Sequence, residues 1–268
     1  MADIFGRNHR FACFGIGLTL LAALPLPAAI RVILAGVGNA FYHVGGGRDA
    51  LLANKRMTRL GIFVSPGALG VCLGSLLCSN IPLFYTGAVL LLLCGISILW
   101  RCKDQKSTVS AGKAQLSPAI LMLAVVILRS VLGLSMETPW KIGGFAIAAG
   151  AASAAGKALG GWLGDRFGGR SVGTATLFIS AVLFCFPNAG IAGIIGILFF
   201  NMTMPITLRR ASDALPGMEG LAFGLLTFGL FLGYLPAFCG ISIPWWLGAL
   251  LSAVSALLIW LDGVKRRD

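Results

Sequence analysis

Long apolar runs separated by short polar turns recur along the whole chain. Most runs approach 20 residues, the length that an α-helix needs to cross the hydrocarbon core of a bilayer. Residues such as Pro25, Asn80 and Pro139 mark the turns between the runs. The pattern predicts about ten transmembrane helices, at residues 10–24, 27–47, 57–78, 82–100, 118–137, 141–163, 171–186, 189–208, 220–239 and 243–261.

These helices predict an all-α fold, that of a polytopic membrane protein, divided by one long polar connection. We predict an N-terminal bundle of about four helices over residues 1–100 and a six-helix bundle over residues 118–268. Residues 101–117, which are rich in Lys, Ser and Gln, form the predicted linker on the cytoplasmic side.

Composition agrees with a membrane protein. The chain is 57% hydrophobic and 11% charged, with a mean hydropathy of +0.91, whereas a soluble domain carries about 25% charged residues. The net charge of +12 comes from basic residues that fall in alternate predicted loops, among them Arg48, Arg209 and Arg210. The positive-inside rule explains this bias without nucleic acid. It predicts an integral protein of the bacterial inner membrane with both termini in the cytoplasm.

The sequence contains no pattern typical of an enzyme. It has two histidines and seven scattered cysteines, without a nucleophile near a base, a phosphate-binding loop or a metal-ligand spacing. We therefore expect no catalytic residues, no metal and no cofactor.

A short charged turn occurs twice. The tetrapeptide Asp-x-Phe-Gly occupies residues 3–6, followed by Arg7, and again residues 165–168, followed by Arg170. Gly160 and Gly161 precede the second copy, within a stretch rich in Gly and Ala that favours close helix packing. The duplication predicts two related helical bundles.

The turn at residues 161–170 resembles the signature of major facilitator superfamily transporters, between the second and third helices of each half. Asp165, Arg166, Gly168 and Arg170 match it, and the first copy keeps Asp3, Gly6 and Arg7. Within that superfamily, residues 36–45, 128–130, 215–217 and 223–225 resemble the fosmidomycin-resistance-type efflux branch.

The resemblance implies two inward-facing bundles around a substrate cavity that opens alternately to either side of the membrane. It implies secondary active transport of a small molecule, with efflux preferred. The ten predicted helices correspond to the third through twelfth of the family, so the first two are expected to be absent. The alternative is a truncated or accessory membrane protein without transport activity of its own, and a partner chain then completes it.

Arg129 is the sharpest candidate for the substrate site. It lies about 16 Å into its helix at 1.5 Å per residue, near the midplane of the bilayer. An arginine there costs roughly 2.5–3.5 kcal/mol on translocon scales, so it faces a cavity or a partner. An unpaired arginine favours an anionic substrate. The alternative is a structural role, in which it donates to carbonyl or hydroxyl groups.

Other polar residues inside the apolar runs are weaker candidates. Asn39, Tyr42 and His43 share one helical face, as a cavity-facing cluster or as bonds between helices. We add Asn201 and Tyr234 as substrate-binding candidates. Glu137 is a candidate for carrying a coupling proton, or else an exposed loop acid.

The repeated turns are candidate gates. A carboxylate such as Asp3 or Asp165 can accept hydrogen bonds from the first amides of a neighbouring helix, whose dipole favours negative charge. Arg166 can clamp an acid across the bundle, and Arg7 and Arg170 flank the same turns. The alternative is a tight turn that obeys the charge rule. The expected partners are membrane lipid, a small-molecule substrate and a coupling proton.

Overall fold

The chain is all-helical in a computed structural model that describes residues 2–77, 80–101 and 113–264. Its helices, in chain order, are α1 (Ala2–Phe5), α2 (Asn8–Leu21), α3 (Ala28–Ala53), α4 (Met57–Leu77), α5 (Ile81–Arg101), α6 (Leu116–Ser135), α7 (Gly143–Phe167), α8 (Gly169–Phe184), α9 (Gly190–Asn201), α10 (Thr203–Ala214), α11 (Glu219–Phe238) and α12 (Trp245–Val264).

Each of the ten predicted segments is helical. Among the described residues, seven spans are long and apolar enough to cross a membrane: α3, α4, α5, α6, α9 with α10, α11 and α12. α8 is apolar but shorter. The segment predicted at 189–208 divides at Met202 into α9 and α10, close to Pro205. Proline has no N–H with which to bond the carbonyl four residues earlier, so the helical ladder is interrupted there.

The repeated turn adopts the same form in both copies. Gly6 follows α1 with a φ of 61°, and Gly168 follows α7 with a φ of 86°. A positive φ is open to glycine because it has no Cβ. The next helix begins at Asn8 in the first copy and at Gly169 in the second. The sequence repeat is therefore also a repeat of backbone geometry.

Small residues let α7 contact its neighbours through the backbone. A Cβ on Gly160 would lie 2.0 Å from the carbonyl oxygen of Met202, and one on Gly156 would lie 2.3 Å from that of Leu198. A Cβ on Gly161 would lie 2.4 Å from the Met57 carbonyl oxygen. α7 thus packs against α9 and α10 on one side and against α4 on another, as its Gly-rich sequence predicts.

α4 crosses the predicted division of the chain, since it packs along α7. The two helices run antiparallel, with Gly61 beside the Lys157 carbonyl and Ser65 donating to the Ala154 carbonyl at 2.7 Å. A cluster of buried apolar side chains lies mainly in α6 to α12, including Met122, Leu177 and Leu226, and it extends to Leu51 of α3 and Leu60 of α4. The bundle boundaries at 1–100 and 118–268 stay a prediction, and residues 102–112 of the linker lie outside the described residues.

The expectation that Arg48, Arg209 and Arg210 lie in loops is wrong. α3 continues to Ala53 and α10 to Ala214, so all three arginines lie within helices. Each has an acidic partner: Arg48 pairs with Asp3, Arg209 with Asp213, and Arg210 with Asp262. Because these ion pairs stabilise the arginines, α3 and α10 continue past the ends of their apolar segments.

The glycine contact between α7 and the α9–α10 junction predicts a stability effect. Gly160→Ala places a methyl group against the Met202 carbonyl, so the helices must separate. We expect a loss of about 1–3 kcal/mol, the usual range for overpacking, seen as a lower melting temperature in detergent. Gly17→Ala is the matched control, because a Cβ on Gly17 meets nothing within 4 Å. Equal melting temperatures for the two variants would contradict the contact.

Candidate functional site: a cavity closed at one end by two carboxylate clasps

Asp3 binds the start of α11, in an arrangement that we call the first clasp. Its carboxylate oxygens accept hydrogen bonds from the backbone N–H groups of Gly220 and Leu221, each at 2.8 Å. The first N–H groups of a helix have no partner within the helix, and Met218, the N-cap residue of α11, makes no side-chain capping bond. Asp3 therefore caps a helix more than 200 residues away in the chain.

Asp165 makes the second clasp at the start of α4. It accepts from the N–H groups of Met57 at 2.7 Å and Thr58 at 2.9 Å, and from the Thr58 hydroxyl at 2.5 Å. The two clasps are reciprocal. The first ties the beginning of the chain to α11, and the second ties α7 back to α4. Both join elements on opposite sides of the linker, so together they hold one end of the molecule closed.

Buried charges support the first clasp. Arg48 is 2% exposed and donates to Asp3 at 2.8 Å and to Asn8 at 2.7 Å. Asn8 in turn donates to Asp49 at 2.6 Å. Arg209 on α10 also reaches the Leu51 carbonyl on α3 at 3.5 Å. These contacts fix the Asp3 carboxylate where it meets the amides of α11.

An aromatic contact lies behind the clasps, toward the middle of the molecule. The His43 ring meets Phe63 of α4 at 6.2 Å and Phe223 of α11 at 5.9 Å between ring centroids. Tyr42 stacks on Phe63 at 5.9 Å. His43 Nδ1 is buried and has no hydrogen-bond partner among the described residues. Tyr42 and His43 thus lie at a junction of three helices and do not line the cavity.

A cavity of about 570 Å³ occupies the end of the molecule opposite the clasps. Its walls come from α4 around Cys72, from the second half of α6, from the first part of α7, and from α8 to α11. On α7 the lining residues recur at helical spacing from Ala146 to Lys157. Thr138 and Lys141, in the loop between α6 and α7, lie at its mouth. This volume suits a small molecule.

Arg129 lies in the wall of this cavity, at the innermost lining position of α6. It is 5% exposed. One terminal nitrogen donates to the Phe200 carbonyl at 2.9 Å, and the guanidinium carbon lies 4.7 Å from the centre of the Phe200 ring. Its Nε is buried and has no hydrogen-bond partner among the described residues. The structural contact considered from sequence is thus present in a side chain that also lines the cavity, and a substrate role stays a prediction.

The cavity lining is basic. Lys157 and Lys141 join Arg129 there, and no acidic side chain is among the described residues that line it. Lys157 lies at the innermost lining position of α7, within electrostatic range of Arg129. Polar groups without charge, including Ser153 and Asn201, complete the wall. An uncompensated positive charge near the membrane midplane is costly, so the cavity is suited to an anion.

The remaining substrate candidates are divided between the cavity and the surface. Asn201 lines the cavity, and its amide donates to the Ile197 carbonyl at 2.9 Å. Asn39 and Tyr234 are exposed and outside the lining, with Tyr234 packed on Phe238. Glu137 is exposed at the mouth end, where it accepts from the Ser242 hydroxyl at 2.9 Å.

Within residues 2–77, 80–101 and 113–264, the arginines of the repeated turns pair with no acid across the bundle. Arg166 lies over the rings of Trp162 and Phe167, at 5.7 and 5.5 Å. Arg170 lies over Trp260 at 5.4 Å, and Arg7 is exposed before α2. Arg48 pairs with Asp3, one of the two candidate gate acids. The sequence analysis did not single out Arg48 for this pairing, because the helix predicted at 27–47 ended one residue before it. Its position directly after an apolar run was the feature that could have indicated it.

Comparison with known proteins supports this architecture at the level of the fold. No family model matches the sequence, and no curated protein matches it. Among solved structures, the chain is similar to the E. coli fucose:proton symporter, with a TM-score of 0.65 and 15% sequence identity. The similarity covers 99% of this chain and 83% of that chain. The chain has the major facilitator fold.

The major facilitator fold confirms the architecture expected from the repeated turn. In that fold the clasps lie at one end of the bundle and the cavity opens toward the other. The efflux branch and the absence of the first two helices stay predictions. No role of a site residue follows from the comparison, because at 15% identity the likeness shows the fold alone.

The second clasp predicts a local change in backbone protection. Asp165→Asn replaces one carboxylate oxygen by an NH₂ group that cannot accept from an amide, at a cost of about 1–3 kcal/mol. We expect faster hydrogen exchange at Met57 and Thr58, with the start of α11 unchanged. Asp213→Asn is the control, since Asp213 is exposed and its partner Arg209 lies one turn away on the same helix. Equal exchange at the start of α4 in both variants would contradict the clasp.

Proposed function

We propose that this protein is a secondary active transporter that moves a small anion across the membrane by alternating access. The observation that carries the proposal is the cavity of about 570 Å³, closed by two clasps at one end and open at the other. Alternating access requires contacts that exist in one state and break in the other. The clasps suit that role, because water can replace a carboxylate at exposed helix amides.

The charge of the cavity supports an anionic substrate. Arg129 offers an unpartnered buried donor, and Lys157 and Lys141 add positive charge to the same space. Binding an anion there offsets the cost of burying these groups. The fucose:proton symporter carries its name for a neutral sugar, so the basic lining marks a proposed difference from that protein.

We base the proposed orientation in the membrane on the distribution of basic residues, and the proposed direction of transport on the sequence resemblance. Arg7, Arg10, Arg56, Arg59 and Arg170 all lie near the clasp end. The positive-inside rule then places that end in the cytoplasm, and the open cavity faces outward. Efflux is preferred because of the sequence resemblance to an efflux branch. His43 and Glu137 are the candidates for a coupling proton, since histidine changes charge near neutral pH.

One observation favours the alternative of an accessory protein that acts with a partner chain. Every residue from 28 to 33, at the start of α3, is exposed, although six residues cover all sides of a helix. Lipid covers such a surface on one side, and two helices of another chain would cover more of it. In that case the isolated chain binds without transporting.

Flux measurements in proteoliposomes test the proposal. We expect uptake of at least one labelled organic anion from a panel that also contains cations and neutral sugars. Arg129→Gln should lower its initial rate roughly tenfold or more, because a charge-assisted bond is lost. Arg31→Gln is the matched control, since Arg31 bonds the Ala22 carbonyl at 3.1 Å outside the cavity.

Unchanged anion flux in Arg129→Gln would remove Arg129 from the site. Flux of neutral sugars alone would contradict the anionic substrate. No flux of any compound through a monodisperse protein would favour the accessory alternative.

A further inference from the structure

The geometry points to a two-cation seat for a dianion, formed by Arg129 and Lys157 at the inner end of the cavity. The seat rests on the proposed function, since it assigns the substrate class of the same cavity. It adds Lys157 as a binding residue and distinguishes a substrate of charge −2 from a monoanion. Such a group is a phosphate monoester or a pair of carboxylates.

The first observation is the way in which Arg129 is held. The Phe200 carbonyl takes one terminal nitrogen, and the Phe200 ring lies against the face of the guanidinium. These two contacts fix the plane of the group. Nε is left buried without a protein partner. A guanidinium offers donors in a rigid fork, so a fixed plane with an unused donor is arranged for an oxyanion.

The second observation is the position of Lys157. It ends the stripe of cavity residues on α7 that begins with Ala146 and includes Gly150 and Ser153. Small side chains precede it along this stripe, and they leave room in the cavity. It makes no hydrogen bond or ion pair with any residue that the structure describes. Its charge and that of Arg129 act on each other.

The third observation is the charge balance. Arg129 and Lys157 face the inner end of the cavity, and none of the lining residues described for the cavity is acidic. In the empty cavity these cations repel, whereas an anion of charge −2 balances both at once. A monoanion leaves one of them uncompensated. The like charges therefore favour a dianion over a monoanion of the same size.

Cys72 provides a reporter for this seat, because it lines the same cavity on α4 and lies against Gly150. The reporter variant keeps Cys72 and carries Ser at the six other cysteine positions. Its rates of reaction with an anionic and a cationic methanethiosulfonate of similar size are compared in proteoliposomes. We expect the anionic reagent to react faster, and Lys157→Gln to reduce the ratio of the two rates about fivefold. Lys55→Gln is the control; Lys55 is exposed between α3 and α4, outside the cavity lining, so the ratio should stay unchanged.

Protection of Cys72 identifies the ligand class. We expect succinate or methyl phosphate to slow modification at concentrations at least tenfold lower than butyrate or dimethyl phosphate. Lys157→Gln should remove that preference but keep protection by the monoanions, through Arg129. Which of the two dianions protects better distinguishes a dicarboxylate from a phosphate monoester.

Equal rates for the two reagents, or equal protection by mono- and dianions, would overturn the seat. A Cys72 that reacts with neither reagent would overturn it too, since the open cavity would be absent. If dianions protect Cys72 but no flux is measured, the two-cation seat stands and the proposed transport is refuted. If monoanions are transported but the anionic and cationic reagents react with Cys72 at equal rates, transport stands and the two-cation seat is refuted.

Discussion

The closed end of this protein depends on carboxylates that cap helices belonging to the other part of the chain. The first turns of α4 and α11 present N–H groups that a helix cannot satisfy by itself. Asp3 and Asp165 satisfy them from a distance, and the helix dipole adds to the attraction. Each hydrogen bond contributes modestly to stability. Water can replace the carboxylate as acceptor, so the helix N–H groups need not stay unpaired. Two such clasps, acting in opposite directions along the chain, hold this end of the molecule together.

The cavity and the second clasp lie on the same two helices. α4 begins at the clasp and lines the cavity near Cys72, and α7 lines the cavity first and ends beside Asp165. Between these points the helices meet through Gly61, Ser65 and Gly161. α7 therefore carries both Lys157 of the cavity lining and the carboxylate of the second clasp. One helix thus connects the proposed anion site at one end of the molecule to the hydrogen bonds at the other.

Much of the fold was predictable because lipid imposes simple rules. The ten apolar runs and the repeated turn predicted the helices, and a lone midplane arginine predicted the cavity wall at Arg129. The ends of α3 and α10 were not predictable from hydrophobicity, because Arg48 and Arg210 are held by acids distant in sequence. The partners of Arg166 were missed for a related reason: Trp162 lies one turn earlier on the same helix, and a ring next to a cation competes with a distant acid. The His43 junction depends on three helices, whose arrangement no single-helix pattern contains.

The contact between α4 and α7 has a consequence for movement. Two helices that pack through large interdigitated side chains resist rotation against each other, because those side chains must first unpack. Here glycine backbones meet carbonyl oxygens, and the surfaces are nearly smooth. This contact therefore fixes the distance between α4 and α7 but lets the angle between them change. A change in that angle can separate the helices at Asp165 and Thr58 while Cys72 and Gly150 stay in contact, so the clasp end can open without unpacking the rest of the helix pair.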